Sequence, residues 1–292
     1  MANKGLIGIQ LSTIKSTINE FGVYETMKKC AEMGYHCVEI SQIAMTPENV
    51  DAFRRAKDDF GIKIAAMNAM LTSWAPGGES IKDTYDKIIA DCRALDCDML
   101  RMGSGPADRL TSLEGVMTFC EELKEYLPRL KADGIDYYYH NHAQEFRKFD
   151  GKYVLDILRD NSPIDFELDI HWIQAGGRNP VDVINEYAGR IRLLHLKDFR
   201  ILPVQIDYRA LMKNAKPGEK PAMPSVNPQY MGIQFAEIGE GNLDIKGCIE
   251  AGLAGGSEYF LIEQDTTYDR DPMESLRISR DNLIAMGYGD WF

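Results

Sequence analysis

Apolar residues along this chain gather in short continuous runs, separated by longer stretches where they recur every three or four positions. The runs predict strands buried on both faces and the stretches predict amphipathic helices. IGIQ (7–10) reads as a first strand, and a helix follows over Gly22 to Met33 with Tyr24, Met27, Cys30 and Ala31 at helical spacing, closed by Gly34. HCVEIS (36–41) is a second strand. TPENVDAFRRAKDDFG then places Thr46 as cap, Pro47 in the first turn and Gly61 beyond the end of a helix. IKIAAMN (62–68) is a third strand with its helix over 80–96, and DMLRMGSG (98–105) is a fourth that runs into a glycine-containing loop. A helix covers much of 111–133, with Pro128 as the point where a kink or break is expected. GIDYYYHNHAQEF (134–146) opens as an aromatic strand and ends in two histidines and a carboxylate. Helix 151–159, strand FELDI (166–170), helix 180–189 and strand RLLHL (192–196) come next, and helix 244–253, strand EYFLIE (258–263) and helix 272–286 finish the chain.

Eight strand–helix units with ordinary connections predict an α/β chain of the (β/α)8 barrel type, a TIM barrel. No shift of composition marks a boundary, so 1–292 reads as a single barrel domain. One segment stands apart. Residues 200–238 lack a helix or strand pattern and carry Pro203, Pro217, Pro221, Pro224 and Pro228, which predicts a long lid or interface loop. No tight repeat, low-complexity tract or dinucleotide-binding glycine loop is present.

Composition adds limits. A chain of 292 residues with 45% hydrophobic and 27% charged residues has an ordinary soluble profile. Its net charge of −12 argues against a general nucleic-acid or anionic-membrane surface. No apolar run approaches the roughly 20 residues that span a bilayer. The start, MANKGLIGIQLS, has a short apolar run without a signal core and reads as the first strand. The six cysteines form no CxxC pair, which suggests buried, reduced thiols in a cytoplasmic protein.

In a parallel barrel the chemistry gathers at the C-terminal strand ends. The candidates there are His140, His142 and Glu145, then Asp169, His171 and Trp172, then His195, Lys197 and Asp198, then Glu263 and Asp265. Side chains two apart in a strand share a face, so His140 with His142, and Asp169 with His171, are expected to point inward. Carboxylates with imidazole suit a divalent ion such as Mn, Mg, Fe, Co or Zn, and the absence of thiolates argues against structural zinc. Such an ion polarises a sugar carbonyl or hydroxyl pair and stabilises an enediolate while a neighbouring His or Glu moves the proton. His36, at the opposite strand end, reads as structural, and Tyr137–Tyr139 as strand packing. His-Asn-His lacks the small ββα context of an HNH nuclease.

At these residues the chain resembles the sugar phosphate isomerase/epimerase family of the xylose-isomerase-like TIM-barrel superfamily. The resemblance covers nearly the whole chain. It is strongest in YHNHAQEF (139–146), ELDIHWIQAGGRNP (167–180), GRIRLLHLKDF (189–199), EIGEGNLD (237–244), IEQD (262–265) and RDPMESLRISRDNL (270–283). It extends to ketose 3-epimerases, hydroxypyruvate isomerases, inosose dehydratases, endonuclease IV and metal-dependent enzymes of 3-keto-glycosides. The resemblance implies a Glu–Asp–His–Glu set around one divalent ion, manganese foremost with Mg, Fe, Co or Zn as alternatives. Asp169, His195 and Glu263 match its last three members. For the first, His140 stands near the glutamate of some relatives, while the HNHxxEF pattern offers Glu145. Glu145 is taken as the ligand, with His140 and His142 as base or substrate contact. The His-rich motif argues against a simple 3-epimerase, which needs two glutamates flanking the substrate carbon.

Among substrate contacts, Trp172 stands where epimerases often carry a histidine and would give an apolar wall. Lys197 and Arg270 are partners for anionic or hydroxyl groups, and Gln10 floors the pocket. Glu237 and Glu240 flank the glycines of EIGEGN, in a tight turn or at the substrate. The expected activity is a metal-dependent sugar isomerase or epimerase acting on a sugar, keto-sugar or cyclitol by proton transfer beside a carbonyl. The alternatives are a lyase that eliminates the aglycone from a 3-keto-glycoside, an endonuclease IV-like abasic-site nuclease, or a non-catalytic sugar-binding barrel. Five histidines and the acidic balance speak against the nuclease. No glycine-rich phosphate cradle is evident. The expected partner is a small carbohydrate, with no nucleic acid and no membrane, and a homo-oligomer is left open.

Overall fold

The structure, a computed structural model, describes residues 4–73, 77–202, 213 and 232–292. Its eight barrel strands are β1 (Leu6–Gln10), β2 (Cys37–Ile40), β3 (Lys63–Asn68), β4 (Met99–Met102), β5 (Asp136–His140), β6 (Asp165–Asp169), β7 (Ile191–Leu196) and β8 (Tyr259–Ile262). They lie in chain order around a closed ring, and β8 pairs in parallel with β1 from Leu6 opposite Tyr259 to Ile9 opposite Ile262. This is the (β/α)8 barrel that the spacing of apolar runs predicts.

The alternation along each strand sorts side chains to two destinations. Ile7, Ile9, Val38, Leu100, Phe166, Leu168, Leu194 and Phe260 belong to the large core that includes the surrounding helices. The other parity points into the barrel. There Cys37, Met99, Tyr138, Leu193 and Leu261 form a small separate apolar cluster. Above it the interior turns polar, and the candidate site begins.

Several helices differ from expectation for local reasons. Gly22, at φ 79, separates two helices, Lys15–Phe21 and Val23–Glu32, where one was expected to start. The next helix, Pro47–Phe60, has Thr46 Oγ1 accepting from Asn49 N and ends at Gly61 in the left-handed region, as its sequence signals require. The helix expected over 80–96 shrinks to Tyr85–Ala94, because Ser80, Asp83 and Thr84 hydrogen-bond among themselves in a turn. Leu113–Ala132 runs unbroken through Pro128. Pro128 and Lys124, whose carbonyl loses its donor, are both exposed, so water can serve that carbonyl. The start of the expected 151–159 helix is instead part of a two-residue ribbon, Lys148–Phe149 with Lys152–Tyr153, and the helix itself is Val154–Asn161.

The ends of the expected 200–238 loop form an antiparallel ribbon, Asp198–Ile201 with Ile233–Ala236. The lid or interface role falls on residues 203–212 and 214–231, outside the described residues. All six cysteines are buried and unbridged. Among the described residues no helix is long and apolar enough to cross a membrane.

Candidate active site

The inward parity that starts with the apolar cluster continues upward as charge. Glu39 on β2, Arg101 on β4, His140 on β5, Glu167 and Asp169 on β6, and His195 on β7 are all buried, as are Gln10, Lys197 and Glu263 at the strand ends. Two tiers result, joined by His195. In the lower tier Arg101 Nε lies 2.7 Å from Glu39 Oε1 and 3.4 Å from Glu167 Oε2. His195 Nε2 lies 3.2 Å from Glu39 Oε2 and 3.1 Å from Glu167 Oε1. In the upper tier His195 Nδ1 is 2.9 Å from Glu263 Oε2 and 4.0 Å from Asp169 Oδ2. Lys197 Nζ sits 2.9 Å from Glu263 Oε2, 3.3 Å from Asp169 Oδ2 and 3.0 Å from Asp265 Oδ2. Gln10 Nε2 donates to Glu263 Oε1 at 2.6 Å.

Burial raises the cost of every charge here, and the neighbours decide which charges survive. Burial together with the Glu39 charge pushes Glu167 up to about 8, and burial lifts Asp169 to about 6 against the pull of Lys197. Burial also works against Glu39, yet Arg101 and His195 hold it down at about 2. Glu263 stays well below the usual carboxylate range because Lys197 and His195 outweigh its burial. Against its own burial, His195 is raised well above the ordinary imidazole value by Glu167, Glu39 and Glu263. Burial and the neighbouring His195 charge lower His140 well below that value. Burial and Lys197 lower His142 to about 4.

One potential ligand atom from each of His140, Asp169, His195 and Glu263 lies within 4.8 Å of all the others. Glu39, Glu167 and His195 make a second, overlapping trio, but Arg101 already supplies a cation there. Within the upper set, His140 Nδ1 is buried without a hydrogen-bond partner, and Asp169 Oδ2 has only the Lys197 ammonium, 3.3 Å away, as its near cation. A buried imidazole lone pair left open beside an acidic cluster is what a resident cation satisfies, and two imidazoles with two carboxylates form a borderline donor set. The residues fit a divalent ion.

Glu145 does not join this group. Its Oε1 accepts from Tyr139 OH at 2.7 Å and Gln144 Nε2 at 3.2 Å, and its Oε2 accepts from His142 N at 2.7 Å. The glutamate falls in the turn Ala143–Phe146 directly after β5 and folds back on the residue that starts that turn. His140, the last residue of β5, stands in the position expected of Glu145.

His142 keeps the inward parity, with its ring centroid 4.9 Å from that of His140 and 5.5 Å from that of Trp172. His171 does not, because a helix starts at Ile170, with Asp169 Oδ1 accepting from Trp172 N at 2.9 Å. Its ring packs against Trp172, Phe199 and Phe235 instead. Asn141, between the two histidines, ties β5 to β6 by accepting from Asp169 N at 3.0 Å.

Arg270 sits 2.6 Å from Glu237 Oε1, which also accepts from Ser275 Oγ, and Arg270 is not among the residues that line the cleft. Glu240 N donates to Glu237 O, which makes the turn reading of EIGEGN the one observed. Asp198 collects the N–H groups of Gly239, Gly241 and Leu243 at 3.1 Å each, and a Cβ on Gly241 would collide with its carboxylate. His36 lies 3.1 Å from Phe60 O.

A cleft of about 470 Å³ opens over the barrel mouth, with Gln10, Arg101, His140, His142, Glu263 and Asp265 in its wall. Glu39, Arg101 and Glu167 were not among the expected residues. Their signal is a charge in the middle of an otherwise apolar strand run, in HCVEIS, DMLRMGSG and FELDI. In a strand buried on both faces such a charge has only the barrel interior to enter.

The chain belongs to the xylose isomerase-like TIM barrel family, whose sequence pattern matches residues 27–281. No curated protein matches it. Among solved structures it is similar to a sugar phosphate isomerase/epimerase from Parabacteroides distasonis, with a TM-score of 0.71 at 19% identity over 97% of this chain and 99% of that one. The probable 3-DHS dehydratase AsbF of Bacillus anthracis, involved in petrobactin synthesis, superposes with a TM-score of 0.66 at 13% identity, covering 96% and 98% of the two chains. IolI with a bound zinc atom gives 0.64 at 14% identity, covering 98% and 99%. At these identities the likeness is one of fold.

Proposed function

We propose that this barrel is a divalent-metal-dependent isomerase or epimerase that moves a proton on the carbon beside a carbonyl of a sugar, keto-sugar or cyclitol. The observation that carries the reading is the convergence of His140, Asp169, His195 and Glu263 from four successive strand ends beneath a cleft. These four side chains would hold the ion, and their nitrogen and oxygen donors suit manganese, iron, cobalt or zinc. A bound divalent ion would supply Lewis-acid polarisation of a carbonyl oxygen, which acidifies the C–H beside that carbonyl.

The chain's own groups do the remainder. His142, with its pKa lowered to about 4, carries a free imidazole lone pair at neutral pH and takes the proton from the substrate carbon. Trp172 packs on His142 and fixes its ring. Asp265 also lines the cleft, and burial raises its pKa, so it is a second group able to give or take a proton. Gln10 orients Glu263. Buried, unbridged thiols at all six cysteines suit a reducing compartment, and the cytoplasm is the proposed one.

Metal content of protein purified without chelator tests this reading, followed by activity on a panel of keto-sugars after chelation and re-addition. About one divalent ion per chain with chelator-sensitive turnover is the expected result. About three zinc ions would favour the nuclease instead. No metal even after soaking would overturn the mechanism.

A further inference from the structure

Glu39 and Glu167, the acids of the lower tier, are fully buried and lie outside the wall of the cleft. A buried ionic cluster is seldom the most stable filling for a barrel interior. This one is built in detail. β2 shifts register against β3 between Val38 and Glu39, and β6 shifts against β7 between Phe166 and Glu167. Both irregularities fall at the two glutamates, and such shifts re-aim side chains beside functional sites. Arg101 reaches both acids. Its Nη2 also donates to Ser41 Oγ at 3.1 Å, and a Cβ on Gly103 would come within 2.8 Å of its Nη1, so glycine there leaves the guanidinium its room.

What this clamp touches above is His195. Glu39, ion-paired to Arg101, can only accept, so its contact of 3.2 Å with His195 Nε2 places a hydrogen on that nitrogen. Glu167 Oε1 lies 3.1 Å from the same nitrogen. Nδ1 is left facing Glu263 and Asp169. A ring held in this way offers Nδ1, and not Nε2, to an ion among the upper-tier ligands.

Resting on the metal-site reading above, we propose that Glu39, Arg101 and Glu167 are positioning residues for the ion: they fix the His195 ring and its tautomer so that Nδ1 is the donor atom. None of the three binds the ion. Arg101 acts at one remove, by holding both acids with a planar fork that a single ammonium cannot reproduce.

Zinc alone is the probe, titrated by calorimetry into metal-free protein. Glu39→Gln is expected to weaken binding about 10–100-fold. Loss of a nearby negative charge would weaken it too, so Arg101 separates the two causes. Removing that cation in Arg101→Met should tighten binding if charge alone acts, and weaken it if the clamp positions His195. Arg101→Lys keeps the charge and is the milder change, and it should still weaken binding by about tenfold. Magnetic resonance of isotopically labelled histidine in the zinc-loaded protein gives a readout that needs no change in the lower tier. With His195 assigned by comparison with a His195→Gln variant, hydrogen is expected on Nε2 and metal on Nδ1. Tighter binding in Arg101→Met with no change in Arg101→Lys would reduce the lower tier to electrostatics and overturn the proposal. Hydrogen on Nδ1 of zinc-loaded, otherwise unaltered protein would overturn it as well, while leaving the metal site intact. No zinc bound by the unaltered protein would overturn the metal-site reading itself, and the positioning role with it.

Discussion

Arg101 and Glu39, from β4 and β2, form an ion pair of 2.7 Å inside the barrel, with side chains 5% and 0% exposed. Glu167 approaches the same guanidinium, so one cation faces two buried carboxylates. Arg101→Met keeps the volume but strands the ionised Glu39, whereas Glu167, pushed up to about 8, is largely neutral, and a stability loss of about 3–5 kcal/mol is expected in urea at pH 7. The pH dependence follows from the sign of the Glu39 shift. Its folded pKa of about 2 lies below the usual 4.5, so its contribution is present above the usual value and is lost as pH falls through about 2. Without Arg101 that depression loses its main source and the stranded acid is readily protonated. The deficit of the variant should therefore be smaller at pH 5 than at pH 7, and a constant deficit would mean that Arg101 acts through packing alone.

Glu145 and His140 can be told apart by what their loss removes. In Glu145→Gln an amide group must replace one of two accepting oxygens, so the contact with Tyr139 or with His142 N is broken. The expected cost is about 1–3 kcal/mol of stability, with metal stoichiometry unchanged. His140→Ala and Glu263→Gln should instead abolish stoichiometric metal binding and leave the circular dichroism spectrum as it was. Loss of metal from Glu145→Gln alone would restore Glu145 to the ligand set.

These contrasts show where sequence reading reaches its physical limit. The barrel was legible because each strand buries both faces and so appears as an apolar run, with IDYYYH and FELDI as clear cases. That Asp169, His195 and Glu263 would converge was legible for a related reason, since polar residues at the ends of buried strands have few places to go. Glu145 and His171 were misplaced by short-range geometry. The first folds back onto His142 N, and the second enters a helix where strand alternation was assumed. The pairing of Glu39 with Arg101 joins residues 62 positions apart, and no local pattern announces such a partner.

Lys197 occupies the place where a cation is wanted, close to both Asp169 and Glu263. An incoming divalent ion must compete with that ammonium for the same carboxylates. Lys197→Met should therefore bind metal more tightly, by about tenfold or more, while its metal-free form melts at a lower temperature. Metal titration followed by calorimetry and a thermal scan with and without the ion measures both arms. Weaker metal binding in the variant would mean that Lys197 supports the ligands by holding them in place.

His142 is the residue on which the proton-transfer reading turns. Its ring lines the cleft beside His140 but lies outside the four-residue ligand set. His142→Ala should accordingly retain one equivalent of metal and its stability, while turnover falls by about 10²–10⁴, the range that general bases contribute. Solvent deuterium exchange into the substrate carbon should fall in parallel, because it reports the proton removal itself. If turnover drops and exchange persists, His142 acts after proton removal, and Asp265 becomes the group to replace. If neither changes, the proton passes through a different residue, and the role assigned here to the second histidine of HNH is lost.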